Sequence, residues 1–585
     1  QAEEARRAAA LALEQGERAE AVRRILVGVF EQAAPEANEG QPITALELLE
    51  KGERQIEGAI GVQPAVEADA ATLIAELYVQ IGVFDRAEVL LQRALQATDD
   101  PRVPDDVRAR VLVGIASIED EKAAHDDAIE HARRGLDLLA DGGRGVAPTV
   151  AKAHYVIAHS LIALGRVDEA EALLRESLER DRAALGENSD AVADGLVQLG
   201  NVHAEALRFD ASEQAFRQAI AAFSATYGPD SYHVAHVLNE LSNMLQDKRD
   251  LAGAEAALRQ SLDIRLRTVG EDHRDTLIVR HNLLILLEGE GRMAEALPQR
   301  LAVLERVGSS ARLHPRDVAS YRLAAGRDQR DLGDFLAAVA NLRTAYELFS
   351  ASLGKDSDSA ISTLRSLGST LQLAGRMDEA ESVLRRALEL QRGRAPANPL
   401  RLAAVEADLG NLLRLRGGFD EARTLLAGAA NALAAPVYAN HAARPAVMVA
   451  QAELELAEGD TEHARENAES ALRLARITLP QGYFQLASPL LTLARVHLAR
   501  NEAAQAEPLL DEALRVRTAV QPGGDVRVIE IEIERVRAFG MLGRAREATS
   551  LREAVAARLR ALPPVQAAGL QARMGNTGTA SGSRR

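Results

Sequence analysis

The stretch LRSLGSTLQLAGRMDEAESVLRRAL, residues 364–388, contains the plan of the whole 585-residue chain. Leu364, Leu367, Gly368 and Leu371 are spaced three and four apart, which places them on one face of a helix. Gly375 then supplies the left-handed backbone that closes a helix, and Met377 and Asp378 open the next one. In that second helix Ala380, Leu384, Ala387 and Leu388 again share a face. Small Gly368 and Ala380 allow the two helices to approach closely, while Leu384 and Leu388 fill the groove between them and towards the next unit.

Working outward from Gly375, the turn position recurs at Gly40, Gly82, Ala123, Gly165, Leu207, Arg249, Gly291, Gly333, Gly375, Gly417, Gly459, Asn501 and Gly543. Every interval is 42 residues except one of 41, between Gly82 and Ala123. The small residue five positions later keeps the same time, from Ala45 and Ala87 through Ala170, Ser212 and Ala254 to Ala506 and Ala548. A fixed period of this length predicts an all-α, right-handed superhelical solenoid of about thirteen helix pairs, in which each pair covers its neighbour's apolar face. The repeats around Ala123, Leu207, Arg249 and Asn501 lack the turn glycine, which is expected to lower local stability without changing topology.

The pattern of Ala75, Tyr78, Gly82, Phe84, Ala87, Leu91 and Ala94 resembles the tetratricopeptide repeat, and the 42-residue period resembles its longer, kinesin-light-chain-like form. The resemblance covers roughly residues 20–562. The segments between repeats, LGENSD (185–190), YGPDS (227–231), VGEDHRDT (269–276) and LGKDSDS (353–359), are similar to that family's LGxDHPDT linker. Physically each is a glycine stop followed by Asp or Ser to cap the next helix. A second resemblance lies at the start: residues 25–56, ILVGVFEQAAPEANEGQPITALELLEKGERQI, look like the opening of the repeat region that follows the kinase domain in bacterial serine/threonine protein kinases. In that family a transmembrane helix often precedes such a segment. This likeness implies the non-catalytic regulatory or sensing half of a signalling protein, with its location left open between the cytoplasm and the far side of a membrane.

Composition agrees with an extended helical array. The chain is 47% hydrophobic with 10 Phe, 8 Tyr and no Trp, so its core is expected to be aliphatic and close-packed. A formal net charge of -17 opposes general binding to nucleic acid or an anionic membrane. The absence of cysteine excludes disulfides, thiolate metal sites and cysteine nucleophiles. The longer apolar runs, such as 25–30 and 445–450, are too short to span a bilayer, and no signal peptide is visible. The first residue is Gln, and the chain reads as a processed or truncated piece with its missing part upstream. The expected division is a charged N-terminal helix over 1–19, the solenoid over 20–562, and a Gly-, Ser- and Pro-rich disordered tail over 563–585.

Three features imitate chemistry. His273, Arg274 and Asp275 spell the kinase catalytic-loop tripeptide, and Ala34, Pro35 and Glu36 another kinase landmark, yet Asn282 is seven residues past Asp275 and neither a glycine-rich phosphate loop nor DFG occurs. HRD falls inside a repeat linker. His233 and His236 share a helix face, but two histidines without a third ligand read as surface or groove residues. Glu530, Glu532 and Glu534 read as a solvated face. Neither enzyme activity, cofactor nor metal is expected.

The resemblance implies a concave surface lined by the first helix of each repeat. The matching inward positions hold Asn201, Asn239, Asn243, Asn282 and Asn411, with Arg327, Arg330, Arg365 and Arg414 beside them. Asn both donates to and accepts from a peptide backbone, and Arg forks onto a carboxylate. The chain is therefore expected to be a scaffold that binds peptide or protein segments on that face. The Lys and Asn clamp of chaperone-binding members is incomplete, since Val197 and Leu323 occupy two of its positions. Small-molecule sensing and self-association are the alternatives.

Overall fold

A computed structural model of the chain describes residues 16, 18, 20–23, 27, 45–58, 64–80, 83–122, 124–139, 147–307, 315–394, 398–479, 483–520 and 525–576, and no strand occurs among them. No helix among these residues is long and apolar enough to cross a membrane. The chain divides into two compact units, Gln1–Gly270 and Glu271–Arg585.

In the first unit the helices are α1 (Ala45–Gly58), α2 (Pro64–Gln80), α3 (Phe84–Ala97), α4 (Asp105–Glu121), α5 (His125–Leu138), α6 (Ala147–Ala163), α7 (Val167–Leu185), α8 (Asp190–Glu205), α9 (Phe209–Tyr227), α10 (Tyr232–Asp247) and α11 (Leu251–Thr268). The second contains α12 (Arg274–Gly289), α13 (Met293–Val307), α14 (Pro315–Asp331), α15 (Phe335–Leu353), α16 (Asp358–Leu373), α17 (Met377–Arg392), α18 (Pro399–Leu415) and α19 (Phe419–Ala432). It continues through α20 (Arg444–Glu458), α21 (Thr461–Thr478), α22 (Ala487–Ala499), α23 (Ala503–Val520), α24 (Val526–Met541), α25 (Ala545–Ala561) and α26 (Pro564–Asn576). From α2 onward consecutive helices pair as hairpins, and within each unit the first helix of a pair also packs on the first helix of the next. First helices therefore form one layer and second helices the other.

The 42-residue register has a direct backbone signature. All ten turn positions from Gly165 to Gly543 have positive φ, from 58° at Leu207 to 88° at Gly459. Leu207, Arg249 and Asn501 adopt the left-handed conformation without glycine's freedom, at φ 58°, 67° and 63°. The hairpin keeps its shape there, and the strain of roughly 1–2 kcal/mol per L-residue is borne by packing around it. The turn positions Gly40, Gly82 and Ala123 lie outside the described residues.

Five residues on, Ala170, Ser212, Ala254, Ala296, Ala338, Ala380 and Ala422 are completely buried. Ser212 satisfies its hydroxyl by donating to Gly200 O at 2.7 Å. Close approach also explains Gly368: a Cβ there would stand 2.5 Å from Leu384 Cγ. Gly326 meets Leu342, and Gly410 meets Leu426, in the same register. The linkers cap as expected at Ser189, Ser231 and Ser357, whose hydroxyls accept from Val192 N, Val234 N and Ala360 N, each at 3.4 Å. In VGEDHRDT the cap is His273, whose Nδ1 accepts from Asp275 N at 3.3 Å, while Arg274 pairs with Asp317. The HRD tripeptide is thus a helix start.

One repeat departs from the pattern. Arg300 stands 42 residues before Leu342, in a core register position, and is fully buried. It forms an ion pair with the equally buried Asp328 at 2.7 Å and donates to Leu284 O at 2.8 Å and Glu288 Oε2 at 3.0 Å. Burial pushes the Asp328 carboxyl up to about 7 against the pull of Arg300.

Most of the charged segment over 1–19 lies outside the described residues; Arg18 pairs with Asp69 of α2 and Asp106 of α4 at 3.1 and 2.5 Å. The composition of 563–585 predicts disorder, whereas Pro564–Asn576 is the helix α26, a correction. Its Ala567, Leu570 and Met574 recur three and four apart, and Leu570 and Met574 pack with Val526, Ile529 and Ile533. Periodicity outweighed composition there.

Candidate functional site

Within the second unit the stack returns on itself, and two arginines make the closure. Helix α14 ends at Asp331 with unsatisfied carbonyls, as every helix C-terminus does. Arg527, 196 residues later, donates to Arg330 O at 2.8 Å and Asp331 O at 3.0 Å. Arg517 donates to Asp331 O as well, and to Asp525 Oδ2 at 2.7 Å. Two guanidinium cations on a helix C-terminus complement its dipole. Asp525, the cap of α24, also accepts from Arg527 Nε at 2.7 Å. Burial opposes ionisation of Asp331 and Asp525, but the arginines around them outweigh it and hold both carboxyls below the usual range. Phe335 joins Val526, Ile529 and Ile533 in an apolar cluster beside this clasp.

The closure encloses a cavity of about 880 Å³. Its wall obeys the repeat count. Arg365, Ala407, Val449 and Leu491 hold one register position; Ser369, Asn411, Glu453 and Arg495 hold a second; Arg330, Gln372 and Arg414 hold a third, each member 42 residues from the next. The wall is thus made by the first helices α14, α16, α18, α20 and α22, with α24 and α26 completing it.

Seven arginines and four carboxylates line this space, a positive balance inside a chain whose net charge is -17. Most of the charges hold one another. Arg495 lies 3.1 Å from Glu453, 3.1 Å from Glu534 and 3.5 Å from Glu530. Burial works against the Arg495 charge, but these three glutamates raise its pKa above the ordinary value. Glu453 also accepts from Thr492 Oγ1 at 2.8 Å, and despite burial Arg495 and Arg414 hold its carboxyl at about 2. Arg573 of α26 donates to Glu530 at 2.5 Å. On the other side Arg365 reaches Asp408 with Nη1 at 3.1 Å, while burial pushes the Asp408 carboxyl up. Arg414 donates from Nη2 and Nε to Asn411 Oδ1 at 2.8 and 3.2 Å, and burial lowers its pKa.

Of the residues expected from sequence, Arg330, Arg365, Asn411 and Arg414 are brought together on this wall. Arg327 is one register step from Ser369, half-buried, and donates to Ser362 and Ser366 at 3.2 and 3.4 Å; burial, with repulsion from Arg365 and Arg330, pushes it down to about 10. Asn282 is half-buried on α12. Asn201, Asn239 and Asn243 lie in the first unit, the last exposed, and Asn239 donates to Glu240 at 3.2 Å. Sequence reasoning missed Glu453 and Arg495, although both continue the register of Asn411 and the count alone would have found them. It also misplaced the glutamates of α24. Glu532 and Glu534 are buried against Arg558 and Arg495, and Glu530 lines the cavity, because both faces of α24 are covered. His233 stacks on Tyr227 and Phe223 at 4.3 and 5.1 Å.

Sequence profiles of the tetratricopeptide repeat match residues 149–225 and 317–393, and a second such profile matches 234–275 and 487–520. No curated protein matches the chain. Among solved structures, BtubC (BKLC) from P. vanneervenii is similar at 23% identity over 41% of this chain and 92% of that one, with a TM-score of 0.34. A Podosopora anserina putative kinesin light chain with nearly identical TPR-like repeats is similar at 21% identity over 36% and 98%, TM-score 0.27. The apo form of RapI is similar at 13% identity over 63% and 97%, TM-score 0.48. The profile matches show that residues 149–225, 234–275, 317–393 and 487–520 carry tetratricopeptide repeats, and the 42-residue register and left-handed turns run on through the segments between them.

Proposed function

We propose that the chain is a non-catalytic recognition scaffold whose second unit holds a peptide or protein segment in the cavity. The observation that supports this is the polar ladder of Ser369, Asn411, Glu453 and Arg495, one rung from each of four successive repeats on a single wall. Packed helices stand about 8–10 Å apart and an extended chain rises about 3.3 Å per residue, so a bound segment would pass one rung roughly every three residues. Its amides and carbonyls would find donors and acceptors in turn. In the first unit Asn201 and Asn243 hold the register of Asn411, and Asn239 that of Arg365, and we extend the same role to them. The test is selection of random heptapeptides on the full chain by phage display. Selected peptides should lose at least about tenfold in affinity to an Asn411→Ala, Arg414→Met variant; unchanged affinity would refute the assignment.

The finer reading is that the chain is the regulatory region of a bacterial serine/threonine kinase. Its support is the sequence of residues 25–56 alone, most of which lie outside the described residues. The upstream reading frame tests it: a kinase domain followed by a transmembrane helix is expected, and a frame without a kinase would end the idea. A second reading, small-molecule sensing, draws on the cavity volume, which falls within the roughly 300–1,000 Å³ of ligand pockets. Thermal shifts with nucleotides or metabolites would favour it.

A further inference from the structure

The first unit has an ordered edge, made by the ends of its second helices and the connectors that follow them. At the end of α9, Thr226 Oγ1 donates to Asn188 O at 2.7 Å and Tyr227 Oη donates to Asp190 Oδ2 at 2.5 Å. One repeat later Arg267, at the end of α11, donates from Nη1 to Asp230 Oδ2 at 2.9 Å. Each helix end is thus fastened to the connector of the preceding repeat. The residues just before the connector glycines, Leu185, Tyr227 and Val269, follow one another along this edge at 42-residue intervals. All three are 36–46% exposed. Leu266 is exposed as well, and so is Tyr232, whose ring lies 4.8 Å from the Arg265 guanidinium. Five of the ten large hydrophobic side chains exposed among the described residues of the first unit therefore belong to this edge. Single apolar side chains are ordinary on a surface, but one register position exposed in three successive repeats makes a stripe.

The charge around the stripe defines what covers it. The first unit holds 47 Asp and Glu against 28 Lys and Arg, a balance of -19, although the whole chain carries -17. At the edge itself Arg182 is divided between Glu179 and Glu187, and Arg267 between Asp230 and Asp263, so carboxylates are left in surplus. An apolar stripe in a negative field repels an anionic bilayer and suits a basic amphipathic polypeptide. The edge offers side chains in place of a strand's row of amides, which favours a segment that satisfies its own backbone, a helix. The spacing agrees. First helices of successive repeats pack on one another, typically about 8–10 Å apart, and two turns of helix rise about 10.8 Å, so apolar residues seven apart would meet one repeat after another.

We propose that this edge is a second interaction surface, separate from the ladder, that binds a basic amphipathic helix of another protein along Leu185, Tyr227 and Val269.

Fluorescence anisotropy with the full chain tests it. The probe is a labelled, amidated peptide of three Leu-Lys-Ala-Leu-Lys-Lys-Ala heptads, and the control is a scrambled peptide of the same composition. The heptad peptide should bind at least about tenfold more tightly than the scramble, and a Tyr227→Ser, Val269→Ser variant should lose at least about tenfold in affinity. Val89→Ser, which removes an exposed apolar side chain elsewhere in the unit, should change nothing. Hydrogen exchange of the unaltered chain with the heptad peptide should show protection at 183–190, 225–232 and 265–270, a readout that holds even if the double variant misfolds. Absence of binding, equal binding of both peptides, or protection confined to the first helices α6, α8 and α10 would overturn the proposal. Self-association of the chain that the double variant abolishes would place a second copy on the edge and overturn it as well.

Discussion

Arg517→Met should open the second unit at its clasp. The guanidinium is 2% exposed, lies 5.4 Å over the Phe484 ring, and joins Asp331 O to Asp525 Oδ2. Methionine keeps the aliphatic volume against Phe484, so the change is mainly electrostatic. The lost charge leaves a buried carbonyl short of one donor, worth about 1–3 kcal/mol, and strips one partner from a buried carboxylate, worth about 3–5 kcal/mol when nothing replaces it. Asp525 retains Arg527 at 2.7 Å, which places the total near the lower end, about 3 kcal/mol. Hydrogen exchange read by mass spectrometry is the assay, because opening of α24 is then measured apart from the first unit. A loss of about 3 kcal/mol should speed exchange in α24 roughly a hundredfold. Arg473→Met, which removes an exposed pair with Glu469 at 3.9 Å, should leave exchange unchanged. An Arg517→Met chain whose α24 exchanges less than about fivefold faster would show that the clasp does not hold the unit closed.

Three further outcomes follow from the repeat geometry. Leu207→Gly and Arg249→Gly should each stabilise by about 0.5–1 kcal/mol, since relief of left-handed strain exceeds glycine's entropic cost; a lower urea midpoint would contradict this. Gly368→Val should destabilise by about 1–3 kcal/mol in the same assay, because its Cβ would meet Leu384 Cγ at 2.5 Å. Burial pushes His154 and His281 down to about 4, one in each unit. The unfolded chain binds these extra protons between about pH 6.5 and 4, so the two histidines' contribution to stability should be level above 6.5 and fall as pH drops to 4, by up to roughly 3 kcal/mol per histidine. A His154→Gln, His281→Gln variant should lose most of that slope in pH-dependent denaturation.

Local structure was legible because each repeat repeats its own evidence of packing. Gly375, Ala380 and Leu384 state the hairpin, and the count carries that statement to Leu207 and Asn501, where the residue type alone would not. The same count reaches Glu453 and Arg495 from Asn411. Closure was not legible. Arg517 and Arg527 look like ordinary helix-surface arginines, and their meeting with Asp331 depends on the curvature accumulated over several repeats, a sum of small inter-helix rotations that no local pattern encodes. Arg300 was a visible break in the register, since a cation replaced the expected leucine, but its partner Asp328 is identified only by geometry. In α26 the Gly- and Pro-rich composition hid three apolar residues at helical spacing.

The most direct test of the ladder is hydrogen-exchange footprinting of the full chain with a phage-selected peptide at saturation. Protection should appear in the first helices α16, α18, α20 and α22, around Ser369, Asn411, Glu453 and Arg495, and should be absent from the second helices α17, α19 and α21. Protection confined to those second helices would place the recognition surface on the other layer and contradict the account.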